Sequence, residues 1–256
     1  MKRSEINTIL REGVEFFREH GFYLPPFAYW SPSDWQKKDE TAREIVTQQL
    51  GWHLTDYGMN DFKRHGLLTL TMRRGAPENL ATCSGKLYAE KIMLVGVDQV
   101  NPLQMHHNTT LDLIHRGGKG NLLIQLFNAS ETETLAQDAV QLTVDGVQCS
   151  VSAGGMLTLH GGESVTLRPR TYYRFWAEEQ PIMVGAISTA HDSSDTCFYE
   201  TAQTPALTIE ENEPPVYLLV TDYTQYYKPE LNSPEAINAP GMAAHETMPA
   251  APSPDR

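Results

Sequence analysis

The sequence has little cysteine, a shortage of positive charge and no long hydrophobic run. Of its 256 residues three are cysteine, and 20 lysines and arginines stand against 32 aspartates and glutamates. The formal net charge is -12, and a surface this acidic repels nucleic acid and anionic membranes, so neither is an expected partner. No stretch of about 18 apolar residues occurs, so the sequence contains no candidate membrane-spanning helix.

The number and spacing of the cysteines argue against two kinds of structural site. Cys83, Cys149 and Cys197 are odd in number and widely spaced, which fits neither a disulfide framework nor a zinc motif. The first ten residues, MKRSEINTIL, lack the apolar core of a signal peptide. Both features predict reduced thiols and a cytoplasmic protein.

Helical patterns are confined to the N-terminal fifth of the chain. Apolar residues recur at helical spacing over 4–20, with Ser4 as a predicted N-cap and Gly21 after the last turn. Residues 39–50 predict a second helix. Between them, 22–35 is rich in proline and aromatic residues, which indicates an arm packed over an apolar surface.

From about residue 52 the pattern becomes that of short strands separated by turns. Asp145-Gly146 is a strong hairpin signal and Gly161-Gly162 a second turn candidate. Many strands without intervening helices indicate an all-β sandwich or closed barrel. The predicted strands are 67–72, 91–96, 121–128, 139–144, 155–160, 164–169, 181–188 and 216–220.

The domain organisation follows from these patterns. We predict one domain over 1–232, built from a helical arm (1–51) and a β-barrel (52–232). Residues 233–256 are rich in proline and alanine and poor in large apolar side chains. Such a segment buries too little surface to offset its ordering entropy, so we predict a disordered tail.

Several segments, in order along the chain, are similar to one family of proteins. Together they resemble the D-lyxose isomerases, which implies a cupin double-stranded β-helix barrel with N-terminal helices, all-β in class and often dimeric. The resemblance also implies a divalent metal, usually manganese, and reversible aldose–ketose isomerisation of a D-lyxose or D-mannose type monosaccharide. The segments are PPFAYWSPSDW (25–35), LGWHLTDYG (50–58), YAEKIMLV (88–95), QVNP (99–102), DLIHRGG (112–118), GGES (161–164), YRFW (173–176) and EENEPPVYLL (210–219).

The sequence departs from this family at the metal ligands. The family supplies two histidines as His-x-His, then a glutamate followed by aspartate, then a last histidine. Here Gln104 stands at the first histidine and His106 keeps the second, whereas Leu111 replaces the glutamate before Asp112, and Tyr173 replaces the last histidine. His106 is thus the one retained ligand.

This donor set predicts that no metal is held at the standard site. Manganese and zinc need several converging lone pairs, leucine offers none, and a phenol ligates poorly until it is ionised. Manganese or another divalent ion would return if His107, His115 and His160 rebuilt a site. Neighbouring residues of a strand face opposite sides, however, so His106 and His107 cannot both point into the barrel.

Other residues remain candidates for chemistry. Lys91 matches a family position that points into the pocket, where it could polarise a sugar oxygen. The acidic run Glu210, Glu211 and Glu213 matches the segment where the family keeps a proton-transfer carboxylate, although a solvated acidic loop is an equal interpretation. Tyr173 could act as an acid, paired with His106.

The predicted substrate-binding residues are Gln104, His106, Asp112, Arg174, Trp30 and Trp176. For Trp176, Trp30 and also Trp35, packing in the core is an alternative to stacking on a sugar ring.

Two functions fit the residues. The first is a sugar isomerase or epimerase that works without the usual manganese, with Lys91 and Glu211 or Glu213 as the proton-transferring pair. The second is a catalytically inactive paralogue that binds carbohydrate, regulates, or partners an active subunit. Both take a small monosaccharide, and the family resemblance implies a homodimer. An unrelated cupin chemistry has no feature in its favour.

Overall fold

The computed structural model describes residues 1–199 and 207–232. It is mostly β-sheet with helices at the N-terminus, which confirms the predicted all-β cupin fold. The predicted tail, 233–256, lies outside the described residues. The strands are β1 (Gly51–Thr55), β2 (Leu67–Arg74), β3 (Tyr88–Val95), β4 (Gln104–His106), β5 (Leu111–Gly118), β6 (Asn121–Asn128), β7 (Val140–Val144), β8 (Val147–Val151), β9 (Met156–Leu159), β10 (Ser164–Leu167), β11 (Thr171–Glu178), β12 (Ile182–Thr189) and β13 (Thr196–Phe198).

The helices are short apart from the first. The α-helices are α1 (Arg3–Glu19), α2 (Pro32–Trp35), α3 (Arg43–Thr47), α4 (Phe62–His65), α5 (Glu78–Thr82) and α6 (Tyr223–Tyr226). Single 3₁₀ turns cover Pro26–Tyr29, Glu40–Ala42, Ser193–Asp195, Val220–Asp222 and Pro229–Asn232. The predicted second helix, 39–50, is therefore a 3₁₀ turn followed by the short α3.

Two antiparallel sheets enclose the main core. One runs β1-β2-β3-β12-β5-β10-β7-β8 and the other β13-β4-β11-β6-β9. Alternate residues of both sheets point into one buried apolar cluster, which includes Leu113, Ile124, Val165, Phe175 and Val184. Because side chains alternate along a strand, this packing fixes which residues face the interior.

The first helix lies against the larger sheet. Ile6, Leu10 and Phe17 are fully buried on its inner face. A Cβ at Gly13 would lie 2.4 Å from Leu68 Cδ2, so the absent side chain permits the close approach of helix to strand. The N-cap is Lys2, two residues before the predicted Ser4, so the helix begins at Arg3, whose side chain is held by the C-terminal segment.

Several strand predictions need correction. The apolar run 216–220 is not a strand: it contributes a single bridge, between Leu219 and Trp52, and then enters a 3₁₀ turn. Strands β1, β4, β5, β8, β11 and β13 were not predicted. In β5 and β11, charged residues on the outward positions interrupt the apolar pattern. The Asp145-Gly146 hairpin between β7 and β8 is confirmed.

The C-terminal segment binds the helical arm through a buried arginine. Arg3, 2% exposed, donates hydrogen bonds from Nη1 and Nη2 to both carboxylate oxygens of Asp222 at 3.0 and 2.9 Å. It also contacts Glu211 through Nε and Nη2 at 2.9 and 2.6 Å. Bidentate pairs of this kind are strong and directional, so they fix residues 207–232 against α1.

Arg3→Ala is expected to destabilise the protein by about 3 kcal/mol, near the lower end of the range for breaking a buried ion pair. The cost is limited because the backbone N–H of Leu219 still donates to Asp222. Chemical denaturation measures the change. Arg18→Ala is the matched control, since Arg18 forms an exposed pair with Glu15 and should change stability by at most about 0.5 kcal/mol. Equal effects of the two variants would contradict this role of Arg3.

The structure can be compared with the sequence predictions on membrane-spanning helices and on the cysteines. No helix within 1–199 and 207–232 has the length and apolarity needed to cross a membrane. Cys83, Cys149 and Cys197 are all free thiols, as their spacing predicts.

Candidate functional site

A cavity of about 880 Å³ opens between the two sheets. Its volume lies within the roughly 300–1,000 Å³ range of small-molecule sites. Strands β1, β2, β3, β5 and β12 form one wall and β4, β11 and β13 another. Polar residues predominate in its lining, among them His53, Thr71, Arg74, Lys91, Gln104, His106, Tyr173, Ser188, His191 and Thr196.

The four positions that replace or retain the expected ligands meet in this cavity. Gln104, His106, Leu111 and Tyr173 all line it. Gln104 and His106 lie two residues apart on β4 and so share a face, and Tyr173 is the register partner of Gln104 across β4 and β11. His107 faces the other way, as the strand alternation requires.

Tyr173 is the centre of a hydrogen-bond network. Its hydroxyl lies 3.2 Å from Gln104 Nε2, which donates to it, and 3.1 Å from His106 Nε2. Since the phenol oxygen accepts from Gln104, its own proton is available to His106. Burial, reinforced by Tyr57, raises the pKa of Tyr173 well above its ordinary value, so the phenol stays protonated and can serve as a proton donor.

The second ring nitrogen of His106 faces the loop before β13. His106 Nδ1 lies 3.2 Å from Thr196 Oγ1 and 3.7 Å from Asp195 Oδ2. Burial lowers the pKa of His106 to about 4, with His191 adding to the effect, so the imidazole is neutral at pH 7. Burial alone would raise the pKa of Asp195, but hydrogen bonds from Thr109 and Asn108 outweigh it and lower that pKa.

Lys91 is the cationic group on the opposite wall. Burial lowers its pKa to about 8, and repulsion from Arg74 contributes. Lys91 therefore remains largely protonated at pH 7. The neighbouring His53 has its pKa lowered to about 4, first by burial and then by Lys91. The cavity thus combines an ammonium group, neutral imidazoles and a protonated phenol.

The acidic run is not part of this site. Glu211 binds Arg3, and Glu213 Oε1 accepts a hydrogen bond from Asn7 at 2.6 Å. The Glu210 carbonyl accepts from the backbone of Arg3. The predicted pairing of Lys91 with Glu211 or Glu213 is therefore corrected: these residues hold the segment before the 3₁₀ turn against α1.

Three predicted binding residues point away from the cavity because of strand alternation. Leu111, Tyr173 and Phe175 line the cavity, so their neighbours Asp112, Arg174 and Trp176 lie on the outer faces. Asp112 accepts from Thr166 at 2.7 Å and Arg174 donates to Gln125 at 2.7 Å.

Trp30 is also placed elsewhere. It packs edge-on against Trp35 with 5.2 Å between ring centroids, and Lys38 lies over its ring. Trp35 is almost completely buried beside Tyr223. Both tryptophans therefore pack in an apolar cluster, which was the alternative to stacking on a sugar ring.

The structure also brings in residues that the sequence did not single out. His53 lies on β1, Arg74 ends β2, and His191, Asp195 and Thr196 follow β12. Arg74 Nη2 donates to the His191 carbonyl at 2.8 Å, which ties two of these elements together. The sequence signal for His53 was the short run GWHLT before a turn, which is typical of a strand with alternating faces. Arg74, His191 and Thr196 reach the cavity through pairing between strands that are distant in the sequence.

One group outside the cavity has the geometry of a metal site. The ligand atoms of His107, Glu133 and Cys197 lie within 4.8 Å of one another, and no other such group occurs among residues 1–199 and 207–232. The predicted alternative grouping of histidines does not form. His115 contacts the Gly120 carbonyl at 2.8 Å, and His160 contacts Asn121 at 2.9 Å.

Comparison with known proteins identifies relatives over nearly the whole chain. A family model described as D-lyxose isomerase matches residues 1–223. A D-lyxose/D-mannose isomerase from Serratia proteamaculans is 39% identical over 229 residues, covering 88% of this chain and 99% of the relative. One from Escherichia coli O157:H7 is 40% identical over 230 residues, covering 88% and 100%.

Solved structures share the fold at low identity. The L-ribose isomerase of Geodermatophilus obscurus superposes with a TM-score of 0.53 at 13% identity, covering 82% of this chain and 98% of that chain. The L-ribose isomerase of Cellulomonas parahominis gives 0.51 at 12% identity with the same coverage. At identities this low, the structural matches establish a shared fold and give no information about function.

Proposed function

Because the chain belongs to the D-lyxose isomerase family, we propose that it acts on a monosaccharide by aldose–ketose isomerisation without the manganese site of that family. The observation that carries the proposal is the convergence of Lys91, His106 and Tyr173 in one cavity of suitable volume. The positions that correspond to the family's metal ligands line this cavity, but three of the four side chains differ, and only His106 is retained.

The donors at those positions do not fit a manganese ion. Leu111 has no lone pair, and the raised pKa of Tyr173 opposes the ionisation that ligation requires. Gln104 already donates to Tyr173, and His106 Nε2 faces the same hydroxyl. One imidazole and one neutral amide oxygen are too few for tight binding of a hard divalent ion.

Different residues of the cavity can carry out the two tasks of an enediol mechanism, charge stabilisation and proton transfer. Isomerisation moves a proton between adjacent carbons and develops negative charge on the carbonyl oxygen. Lys91 as an ammonium group would stabilise that oxygen, which is the role of an electropositive group in such a transition state. The hydrogen-bonded His106 and Tyr173 would accept and return the proton, because the imidazole is neutral and the phenol protonated at pH 7.

This scheme predicts exchange of the sugar C2 proton with solvent deuterium in the presence of EDTA. The rate should fall as pH rises through about 8, since Lys91 must be protonated to stabilise the oxygen and its pKa is about 8. NMR of D-mannose or D-lyxose in D2O measures the exchange. Activity that requires manganese, or that rises through pH 8, would contradict the scheme.

A second candidate is a monosaccharide-binding protein without catalysis. The placement of Glu211 and Glu213 against α1 favours it, since no carboxylate base is then found among the described residues that line the cavity. Measurable affinity for D-mannose or D-lyxose together with no deuterium exchange would identify this function. Exchange at any pH would exclude it.

The cellular setting belongs to the same proposal. Three free cysteines are compatible with a reducing compartment, which supports a cytoplasmic location. A homodimer, with 1–232 of each chain as a single domain, is what family membership leads us to expect.

A further inference from the structure

The cavity contains two cationic side chains that form no ion pair with any residue that the structure describes. Arg74 and Lys91 both line it. The printed contact of Arg74 is with a neutral carbonyl, that of His191. Among residues 1–199 and 207–232, no carboxylate lies within 4.0 Å of either group, whereas Arg73 and Lys86 each have one such partner and Arg3 has two.

The described lining is otherwise neutral and does not balance these charges. None of the described side chains that line the cavity belongs to aspartate or glutamate. Asp195, outside the lining, lies behind His106 and accepts hydrogen bonds from Asn108. Asp192, also outside the lining, has its pKa lowered by hydrogen bonds from Ser194 and, to a smaller extent, by His191 and Arg74. The chain as a whole has a net charge of -12. The described lining of the cavity, in contrast, carries positive charge from two cations among neutral side chains.

Like charges in a confined cavity are costly unless a ligand offsets them. Arg74 and Lys91 repel one another, and both also lower the pKa of His53 and His191 after burial has done so. An anion placed between them would remove this repulsion and gain charge-assisted hydrogen bonds. Low-dielectric walls would strengthen that attraction further.

We propose that the cavity takes an anionic monosaccharide, one that carries a carboxylate or a phosphate, in preference to a neutral sugar. Arg74 would contact the anionic group, and the hydroxyl side chains of Thr71, Ser188 and Thr196 would face the sugar hydroxyls. This inference rests on the proposed function, because it names the substrate class for the same cavity. A uronate or an aldose phosphate keeps its aldehyde, so isomerisation remains available to either.

The test compares three ligands by calorimetry at pH 7 and low salt: D-mannose, D-mannuronate and D-mannose 6-phosphate. At least one anionic sugar should bind about tenfold or more tightly than D-mannose, the size expected of a charge-assisted hydrogen bond. Whichever anion binds more tightly identifies the carboxylate or the phosphate as the preferred group.

Substitutions on β2 assign the effect to the cavity. Arg74→Gln should reduce the preference for the anion over D-mannose to about twofold or less, whereas Arg74→Lys should retain most of that preference. Arg73→Gln is the matched control, because Arg73 is the adjacent residue and pairs with Glu90 instead of lining the cavity. If Arg74→Gln does not fold, the test uses Arg74→Lys and Arg73→Gln, which should both keep most of the preference for the anion. It also uses the wild-type protein, whose affinity for the anion should fall as the salt concentration rises.

Three results would overturn the inference, and they separate it from the proposed function. If D-mannose binds as tightly as both anions, the preference for anions is wrong and the proposed function stands. If Arg73→Gln and Arg74→Gln weaken the anion equally, the anion lies outside the cavity. If no sugar of either charge binds, the proposed function fails together with this inference.

Discussion

Combining Gln104→His, Leu111→Glu and Tyr173→His is expected to raise bound manganese from a trace to about one ion per chain, since four converging donors then replace one. The structure supports this expectation because all four positions line the same cavity as His106. Removing Tyr173 also frees His106 Nε2 from its hydroxyl contact. Metal analysis after dialysis against manganese measures the gain.

The double variant Gln104→His with Tyr173→His is the matched control for this result. It restores two imidazoles but leaves Leu111, so it lacks the carboxylate oxygen that manganese prefers and should bind more weakly. A triple variant that folds normally and still binds no manganese would show that these positions do not form the family's metal site.

Lys91→Met is expected to reduce sugar proton exchange by about 10²–10³-fold, the usual cost of removing one group that stabilises a developing oxyanion. Methionine keeps much of the length of the side chain, so the cavity should retain its shape. Deuterium incorporation into D-mannose, measured at pH 7 with EDTA, gives the rate.

Lys86→Met provides the comparison for this variant. Lys86 is a surface residue paired with Glu44 and does not line the cavity, so its loss should leave the exchange rate within about twofold, as expected for a surface substitution. Unchanged exchange in Lys91→Met would remove Lys91 from the mechanism. A parallel loss in both variants would point to a general effect on the fold.

The fold was largely accessible from the sequence because the apolar runs in β2, β3, β6 and β12 are long and bounded by turns. Strand β11 was missed, since Arg174 and the aromatic residues around it interrupt the apolar pattern that marks a strand. The run 216–220 was wrongly predicted as a strand. Some of its apolar side chains pack with residues of α1 and β1, and the others pack beside Trp35 and Tyr223, instead of extending a sheet.

The site was accessible only where residues share a strand or a family motif. Gln104 and His106 were placed correctly because they are two residues apart on one strand. Asp112, Arg174 and Trp176 were not, because each lies one position from a residue that faces the cavity, and a shift of one reverses the face. Arg74 and His191 reach the cavity through pairings between distant strands, which no local pattern reveals.

The charge of the cavity depends on that long-range assembly. No sequence pattern distinguishes Arg74 among the 20 basic residues of the chain, but the pairing of β2 with β3 places it on the same wall as Lys91. The acidic run, which the sequence analysis predicted as the partner of Lys91, is bound to α1 through Arg3 and Asn7. The cavity is therefore left with cations where an acid–base carboxylate was expected.

We propose that this chain performs its family's type of sugar chemistry in a cavity that holds no manganese. Crystals equilibrated with millimolar manganese and measured at the manganese absorption edge test it most directly. We expect no anomalous peak within bonding distance of His106, while the same protein preparation still exchanges the sugar proton. A strong peak coordinated by His106 and Gln104, in a protein whose exchange stops when the metal is removed, would contradict the claim.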